Sequence, residues 1–480
     1  MKRAIAWFWS KKIAFIGVLL VIAVFAWNAF DAIENRAVSI EEGEDLIAAR
    51  AVMRGGVPLR DFAYTPSVLF PYLAGPILSA TQYGAFELRC FDTALAALGL
   101  IAVCIAFARR SGRAEVGIVA GFSVAASPHW VNAVVAGGPI AAATLGLGVA
   151  TSVALSRRAL LPRAVLFTAA SCLAFFCEPI TAFALLALSV CLLFEVRRGI
   201  HRALLLIAIA AVPCAWVVAL SCVSQPGALA DLWRVHFAAE TAQPWRLSLA
   251  KSFAVSPGAF LVALASLSAM PKLLEERSFA PIVCLAAAAL GVAAAFPPTA
   301  ESCLTSAISF PLLAGAGLTA AWALAKGEGS PLRHVLWVVP VMSFYVPVSE
   351  SAPNLPQEEI STVAEFLETH VPAGQILTPF PAIAVASRRQ VLRGTELGAN
   401  GVLAPGHERE AQQLHLTTPG VLARKVEELR PSAVILHRDD QLIDFGLERR
   451  SRAPMASGEV QRFQRAVAER YERAFTTESL

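Results

Sequence analysis

The sequence predicts an α-helical polytopic membrane protein with about eleven transmembrane helices and a small C-terminal α/β domain. Of its 480 residues, 56% are hydrophobic and 16% are charged, whereas a soluble globular protein carries roughly 25% charged residues. The charges are also segregated, because residues 1–350 consist mostly of apolar blocks while residues 351–480 have the composition of a soluble protein. Lipid must therefore surround much of the first part of the chain.

Eleven apolar segments approach the length of about 20 residues that a helix needs to cross the hydrocarbon core. Several are shorter, so tilted or partial helices are expected among them. The first resembles a signal peptide but continues through Phe30 without a small-residue cleavage site, which favours an uncleaved span. The predicted spans are 13–30, 86–108, 115–130, 137–156, 164–178, 180–196, 203–222, 253–270, 279–296, 305–325 and 334–349.

The short loops between these spans alternate in charge. One set carries lysines and arginines, from Lys2 at the N-terminus to Arg333 before the last span, whereas the alternate turns around His129, Glu178 and Glu301 carry none. Cytoplasmic loops collect positive charge, so the first set and the N-terminus are predicted to be cytoplasmic. Eleven spans then place the C-terminal domain in the periplasm, in a bacterial inner membrane. The net charge of +4 comes from these loops and indicates topology, not a nucleic-acid partner.

The predicted domains are a transmembrane domain over residues 1–350 and a periplasmic α/β domain over residues 351–480. Two long periplasmic loops, 31–85 and 223–252, interrupt the first domain. The earlier loop contains an acidic cluster and a helical stretch, and the later one suits an amphipathic segment on the membrane surface. In the C-terminal domain the patterns predict a helix over 360–367, strands at 375–378, 382–386 and 432–436, and a helix at 421–429.

The first periplasmic loop contains an acidic motif, Glu41-Glu42-Gly43, followed by Arg60-Asp61-Phe62 and by a Pro-Tyr-x-x-x-Pro stretch at 71–76. This series, with its spacing, resembles the first loop of GT-C glycosyltransferases, and particularly of the mannosyltransferase and aminoarabinose-transferase group. Arg89, at the start of the second span, also lies where such enzymes often carry arginine. The resemblance implies an integral membrane enzyme that takes a sugar from a polyprenyl-phosphate-linked donor.

In such an enzyme, the resemblance implies that Glu41 or Glu42 removes the proton of the acceptor hydroxyl, while Arg60 and Arg89 contact the donor phosphate. Two structural interpretations stand beside these roles. The two acids could be solvated residues that favour the N-terminus of the following helix. Arg60 could instead form a local ion pair with Asp61 that braces the loop.

Three further polar residues, His129, Glu178 and Glu301, are predicted to lie on turns of the same periplasmic face as Glu41. A site there could gather them around the donor or around a divalent metal, although no metal-ligand spacing supports the metal. Single polar residues at helix ends are also ordinary. No cofactor and no metal ligand are assigned, and no glycine-rich phosphate loop follows a strand.

The sequence therefore predicts a glycosyltransferase that moves a sugar from a polyprenyl-phosphate donor in the membrane lipid to an envelope glycan, lipid or protein. A catalytically inactive or divergent GT-C scaffold is the alternative, because Glu41 replaces the usual aspartate, the turn at 137–140 lacks the family's two charges, and the turn at 300–305 lacks a His-Tyr pair. A transporter ranks last, since it predicts charged or broken helices near the membrane midplane.

Overall fold

The structure is a computed structural model, and its description covers most of the N-terminal half and most of the C-terminal domain. The described ranges are 2–64, 67–81, 83–111, 114–125, 128–156, 160–178, 199–223, 355–402, 408–413, 415–439, 442–444, 458–472 and 474–477, with isolated positions between 181 and 193. The loop predicted at 223–252 and the four spans predicted between 253 and 349 lie outside the described residues, as does most of the span at 180–196.

The secondary structure follows the chain in this order. The helices are α1 (Lys2–Asn35), α2 (Ile40–Met53), α3 (Phe70–Ala80), α4 (Ala85–Ser111), α5 (Ala114–Ala125), α6 (Pro128–Ala136), α7 (Gly138–Ala154), α8 (Leu160–Cys177), α9 (Gly199–Val223), α10 (Gln357–His370), α11 (Pro381–Ala386), α12 (Glu408–Gln413), α13 (Pro419–Leu429) and α14 (Gly458–Arg470). The strands are β1 (Gln375–Leu377), β2 (Gln390–Val391), β3 (Ala433–Val434), β4 (His437–Asp439) and β5 (Leu442–Asp444).

Two helical stretches in the described residues, Phe15–Asn35 and Ala85–Arg109, are long and apolar enough to cross a membrane. Shorter apolar helices occur at Gly138–Ala154, Leu161–Cys177 and Leu205–Ala215. All five overlap predicted spans, whereas the predicted span at 115–130 is divided between α5 and α6. The count of eleven spans and the side of the membrane on which the tail lies stay predictions.

The described residues form two compact units, one from residues 2–34 and 90–217, and the other from residues 35–89 together with the C-terminal tail. In the first unit, α7 packs closely against two neighbours through small residues. A Cβ atom on Gly148 would lie 2.4 Å from the Gly99 carbonyl oxygen, and one on Gly146 would lie 2.6 Å from the Ala174 nitrogen. Glycine permits this approach of helix backbones, as is common in membrane proteins.

The second unit contains a parallel sheet of strand order β2-β1-β3, in which Ile376 aligns with Val391 on one side and with Ala433 on the other. Successive side chains of β1 point to opposite faces of the sheet. Ile376 belongs to a core cluster with α10 and α11, and Leu377 belongs to a second cluster with α13 and α14. The sheet therefore lies between two helical layers, which confirms a small α/β fold in the tail.

Most predicted elements of the tail are present, but the predicted strand at 382–386 is wrong. Strands β1 and β3 lie within the predicted strands at 375–378 and 432–436, and α10 and α13 contain the predicted helices. Residues 382–386 instead belong to α11, which has Pro381 in its first turn. The run is buried from Pro381 to Val385, and a short apolar run cannot distinguish a strand from a buried helix by its periodicity.

The first loop contributes directly to the core of this second unit. Val38 pairs antiparallel with Leu355 through two backbone hydrogen bonds of 2.9 and 3.0 Å. Arg50, near the C-terminal end of α2, donates hydrogen bonds of 3.2 Å to the backbone carbonyls of Arg388 and Arg389. Helix α2, which contains Glu41 and Glu42, is thus held at both ends against the tail.

Candidate active site

The start of α2 is fixed by a capping box formed by Ser39 and Glu42. The Ser39 hydroxyl accepts a hydrogen bond from the Glu42 backbone nitrogen at 3.1 Å, and the Glu42 carboxylate accepts one from the Ser39 nitrogen at 2.8 Å. This reciprocal pattern satisfies two backbone donors that a helix start otherwise leaves unpaired. It places Glu41 and Glu42 in the first helical turn with different surroundings.

Glu42 is fully buried and forms an ion pair with Arg89, at the beginning of α4. The Arg89 Nε lies 2.5 Å from one carboxylate oxygen of Glu42, and its Nη2 lies 3.0 Å from the other. Both side chains are 0% exposed. Arg89 also donates to the backbone carbonyls of Arg36 at 2.9 Å and Ala37 at 3.2 Å. The pair therefore joins α2, the segment before it and the start of α4.

Glu41, by contrast, is exposed on the same helical turn. The two neighbouring carboxylates are therefore separated by environment, one held by a buried guanidinium and one facing outward. Such a separation allows two chemically identical groups to take different roles. Of the two acids, Glu41 is the one that a substrate can reach in the described structure.

The segment after α2 is anchored to that helix by Phe62 and Tyr64. Both side chains pack against Ala48, and the Tyr64 hydroxyl donates a 2.5 Å hydrogen bond to the Asp45 carboxylate. Tyr64 and Asp45 are 2% and 4% exposed. Both partners of this hydrogen bond are buried, so the contact fixes the loop relative to the helix.

The turn at residues 57–62 contains the ion pair that was one of the two sequence-based interpretations. The Arg60 guanidinium donates to both oxygens of Asp61, at 3.1 and 2.8 Å, and the Val57 backbone nitrogen donates to Asp61 at 2.8 Å. These contacts, led by the hydrogen bond from Arg60, lower the pKa of Asp61 to about 2. The Arg60 side chain is 57% exposed, so the guanidinium is accessible despite this pairing.

Comparison with solved structures identifies the architecture. The crystal structure of ArnT from Cupriavidus metallidurans bound to undecaprenyl phosphate matches with a TM-score of 0.55 and 12% identity, covering 85% of this chain and 90% of that chain. The apo oligosaccharyltransferase of Archaeoglobus fulgidus matches with a TM-score of 0.50 and 11% identity, over 80% of this chain. ArnT and this oligosaccharyltransferase, AglB, belong to the GT-C superfamily. The chain has the GT-C fold.

This chain covers a larger share of the ArnT chain than of the oligosaccharyltransferase chains. AglB in complex with an inhibitory peptide and a dolichol-phosphate also matches at a TM-score of 0.50 and 11% identity, covering 82% of this chain. The chain spans 64% and 65% of the two oligosaccharyltransferase chains, which is less than two thirds of their length. No protein-family model and no curated protein sequence matches the chain. The GT-C likeness therefore establishes the fold.

Within this GT-C fold, the remaining predicted site residues are not brought together by the described structure. Glu178 is half-buried immediately after α8, in the other compact unit from Glu41. The side chain of His129, in α6, and the whole of Glu301 lie outside the described residues. Their gathering around a donor stays a prediction. Among the described residues, no three metal-ligating side chains form a group.

Sequence reasoning missed several contacts that shape this site, although one of them, the capping box, has a clear sequence pattern. Ser39 and Glu42 form the Ser-x-x-Glu pattern of a capping box, which marks a helix start. The bond between Asp45 and Tyr64 and the pairing of Glu42 with Arg89 have no local signature. The latter partners lie 47 residues apart, and only the tertiary fold brings them into contact.

Proposed function

We propose that this protein transfers a sugar from a polyprenyl-phosphate-linked donor to an envelope acceptor at the periplasmic face of the inner membrane. The observation that carries the proposal is the position of exposed Glu41 beside the buried Glu42–Arg89 pair, within a GT-C fold. The similar ArnT structure contains undecaprenyl phosphate, and the similar AglB structure contains dolichol-phosphate. Both ligands are lipid phosphates of the kind that the donor would carry.

In the proposed reaction, the acceptor hydroxyl oxygen forms a bond to the anomeric carbon while the bond from that carbon to the phosphate oxygen breaks. The polyprenyl phosphate leaves with the bonding electron pair. The Glu41 carboxylate takes the proton of the attacking hydroxyl as the new bond forms. A positioned carboxylate of this kind contributes roughly 10²–10⁴-fold to the rate.

Glu42 and Arg89 take a positioning role in this proposal. The Glu42 carboxylate accepts hydrogen bonds from Arg89 and from the Ser39 backbone, and both ionic side chains are fully buried. A buried guanidinium cannot also reach a donor phosphate without breaking this arrangement. We therefore assign the donor-phosphate contact of the first loop to Arg60, whose side chain is exposed.

The test is donor consumption by the purified protein, with a panel of radiolabelled polyprenyl-phosphate sugars and an envelope extract as the source of acceptor. We expect one donor to be consumed and its label to appear in an envelope component. Glu41→Gln should slow this transfer by at least about 100-fold, while Glu358→Gln should leave the rate unchanged. Glu358 is the matched control because it is also an exposed acid in the first turn of a helix, α10.

A non-catalytic GT-C scaffold is the second candidate, favoured by Glu41 in place of the family's usual aspartate. It predicts that a folded preparation consumes no donor from the panel, and that Glu41→Gln behaves like the wild type in lipid binding. Consumption of a donor by wild-type protein, lost in Glu41→Gln, contradicts the scaffold.

A further inference from the structure

Three aromatic rings are stacked on the surface of the tail. The Phe366 ring, in α10, stacks against the His370 ring with the centroids 4.8 Å apart, and against the Phe475 ring with the centroids 4.6 Å apart. The interplanar angles are 15° and 16°, so the rings are nearly parallel. We call His370, Phe366 and Phe475 the aromatic stack.

The aromatic stack lies outside the core of the tail. Neither Phe366 nor Phe475 belongs to the two apolar clusters that flank the sheet. Phe475 is 41% exposed, and it is the one exposed phenylalanine in the described part of the tail. The segment that carries it is held in place, because the Thr477 hydroxyl donates a 3.1 Å hydrogen bond to the Glu359 carboxylate. An aromatic ring is therefore fixed at the surface with part of its area open to a ligand.

The surroundings of the aromatic stack are acidic. Helix α10 contains four glutamates and no lysine or arginine, and residues 472–478 add two glutamates and one arginine. Arg389, which donates hydrogen bonds to carbonyls at the C-terminal end of α10, leaves this local charge negative. Three of the glutamates of α10 are exposed and form no ion pair among the described residues: Glu358, Glu365 and Glu368. Charge complementarity therefore selects a cationic ligand.

The spacing of the acids selects a polypeptide. Glu358 and Glu365 are seven residues apart, so they lie on the same side of α10 at a separation of about 10 Å. One small cation cannot contact both carboxylates across that distance. A segment with two cationic side chains can contact both carboxylates, or one carboxylate and the aromatic stack.

We propose that the aromatic stack, together with Glu358 and Glu365, is a docking surface for an arginine-bearing segment of a partner protein. A guanidinium is planar, stacks on aromatic faces and pairs with a carboxylate through its fork, and it is more weakly hydrated than the ammonium of lysine. Aromatic residues and arginine are both enriched in protein–protein interfaces. One guanidinium would lie on the exposed Phe475 ring while a second pairs with a glutamate of α10.

The first test measures the fluorescence anisotropy of a labelled peptide, acetyl-Gly-Arg-Gly-Gly-Arg-Gly amide, titrated with the full-length protein in uncharged phosphatidylcholine nanodiscs. Phe475→Leu keeps an apolar side chain against Phe366 but removes the ring, and we expect it to weaken binding by about two- to five-fold. Phe86→Leu is the matched control, because Phe86 is also an exposed phenylalanine but lies at the start of α4. It should bind the peptide as the wild type does.

The second test removes the carboxylates. Glu358→Gln combined with Glu365→Gln should weaken peptide binding by about five-fold, as expected for two exposed ion pairs. Glu428→Gln combined with Glu469→Gln is the matched control, because it removes the same charge from exposed acids of α13 and α14. It should change the affinity by less than about two-fold. This pair of variants decides the question even if Phe475→Leu lowers the melting temperature.

Several results would overturn the docking surface, and none depends on sugar transfer. Phe475→Leu could bind the peptide as tightly as the wild type. A peptide with citrulline, which is planar but neutral, or with lysine could bind as tightly as the arginine peptide. Displacement of the peptide by an envelope oligosaccharide would assign the aromatic stack to a glycan. Self-association that is lost in Phe475→Leu and blocked by the peptide would assign it to a second copy of this chain.

Discussion

Glu41 and Glu42 are neighbours in the sequence, yet the fold gives the two carboxylates opposite environments. Consecutive residues of a helix point about 100° apart, so when one faces the interior the next can face outward. Here Glu42 faces the interior, where it forms the capping box with Ser39 and the ion pair with Arg89. Exposed Glu41 is left beside a rigid support, which is the arrangement a catalytic base requires.

Replacing Glu42 should therefore damage stability. Glu42→Gln removes the counter-charge of a fully buried guanidinium, and breaking a buried ion pair in this way costs about 3–5 kcal/mol. We expect the melting temperature of the purified protein, followed by tryptophan fluorescence, to fall by several degrees. Glu41→Gln is the control and should leave it unchanged. An unaltered melting temperature in Glu42→Gln would mean that the Glu42–Arg89 ion pair contributes little to the stability of the fold.

His415 should make stability depend on pH in the weakly acidic range. Burial, and next the charge of Arg393, lower the pKa of His415 below its usual value of 6.5, against the opposing effects of Arg60 and Asp61. Between pH 6.5 and the lowered pKa of the folded state, the unfolded chain therefore binds more protons than the folded chain. Stability is thus fully present above about pH 6.5 and is lost as the pH falls through the lowered pKa.

The expected result is a drop in melting temperature between pH 7.5 and pH 5 that is smaller in His415→Gln than in the wild type. Comparing the two melting curves isolates this histidine from the other titrating groups. If both proteins lost the same number of degrees over this interval, the half-buried imidazole would not be the group responsible.

Helix α2 is the element on which the proposed site depends, and it packs closely against α11 at Gly43. A Cβ atom on Gly43 would lie 2.6 Å from the Ala382 backbone nitrogen in α11. Because a backbone atom cannot move aside as the end of a flexible side chain can, one of the two helices would have to shift. Gly43 therefore sets how closely the first loop and the tail pack.

Gly43→Ala is expected to lower both the melting temperature and the rate of sugar transfer, since the shift displaces Glu41 on the same turn. Gly458→Ala serves as the control, because a Cβ atom there meets nothing within 4 Å. Melting and transfer should be measured on the same preparations. Wild-type values for Gly43→Ala would show that α11 tolerates the added methyl group.

Local sequence patterns predicted the helices and strands of the tail well, but they did not predict which of these elements contact one another. Ile360, Val363 and Leu367 recur at helical spacing, and all three are buried in α10 as that spacing requires. The apolar run at 382–386 lacked such a spacing and was assigned to the wrong element. The links between first loop and tail, such as Val38 with Leu355, join residues more than 300 positions apart and leave no local pattern.

The first loop and the tail pack together in the described structure. Residues 35–89, which contain most of the periplasmic loop predicted at 31–85, form one compact unit with the tail. Val38 and Ile40 lie in the same apolar cluster as Ile376 and Ile383. The tail therefore supports the loop that contains Glu41.

Removing the tail should consequently unfold the first loop. A variant truncated after residue 350 loses the partners of Val38, Ile40 and Arg50. We expect limited proteolysis to cleave it between residues 36 and 64 much faster than the full-length protein. Equal cleavage rates would indicate that the loop holds its structure without the tail.

The measurement that tests the central claim most directly is the single-turnover rate of sugar transfer by Glu41→Gln, with its melting temperature determined on the same sample. The proposed role of Glu41 as the base predicts a loss of at least about 100-fold in rate at an unchanged melting temperature. A rate equal to that of the wild type, at the same melting temperature, would contradict the assignment of the base to Glu41.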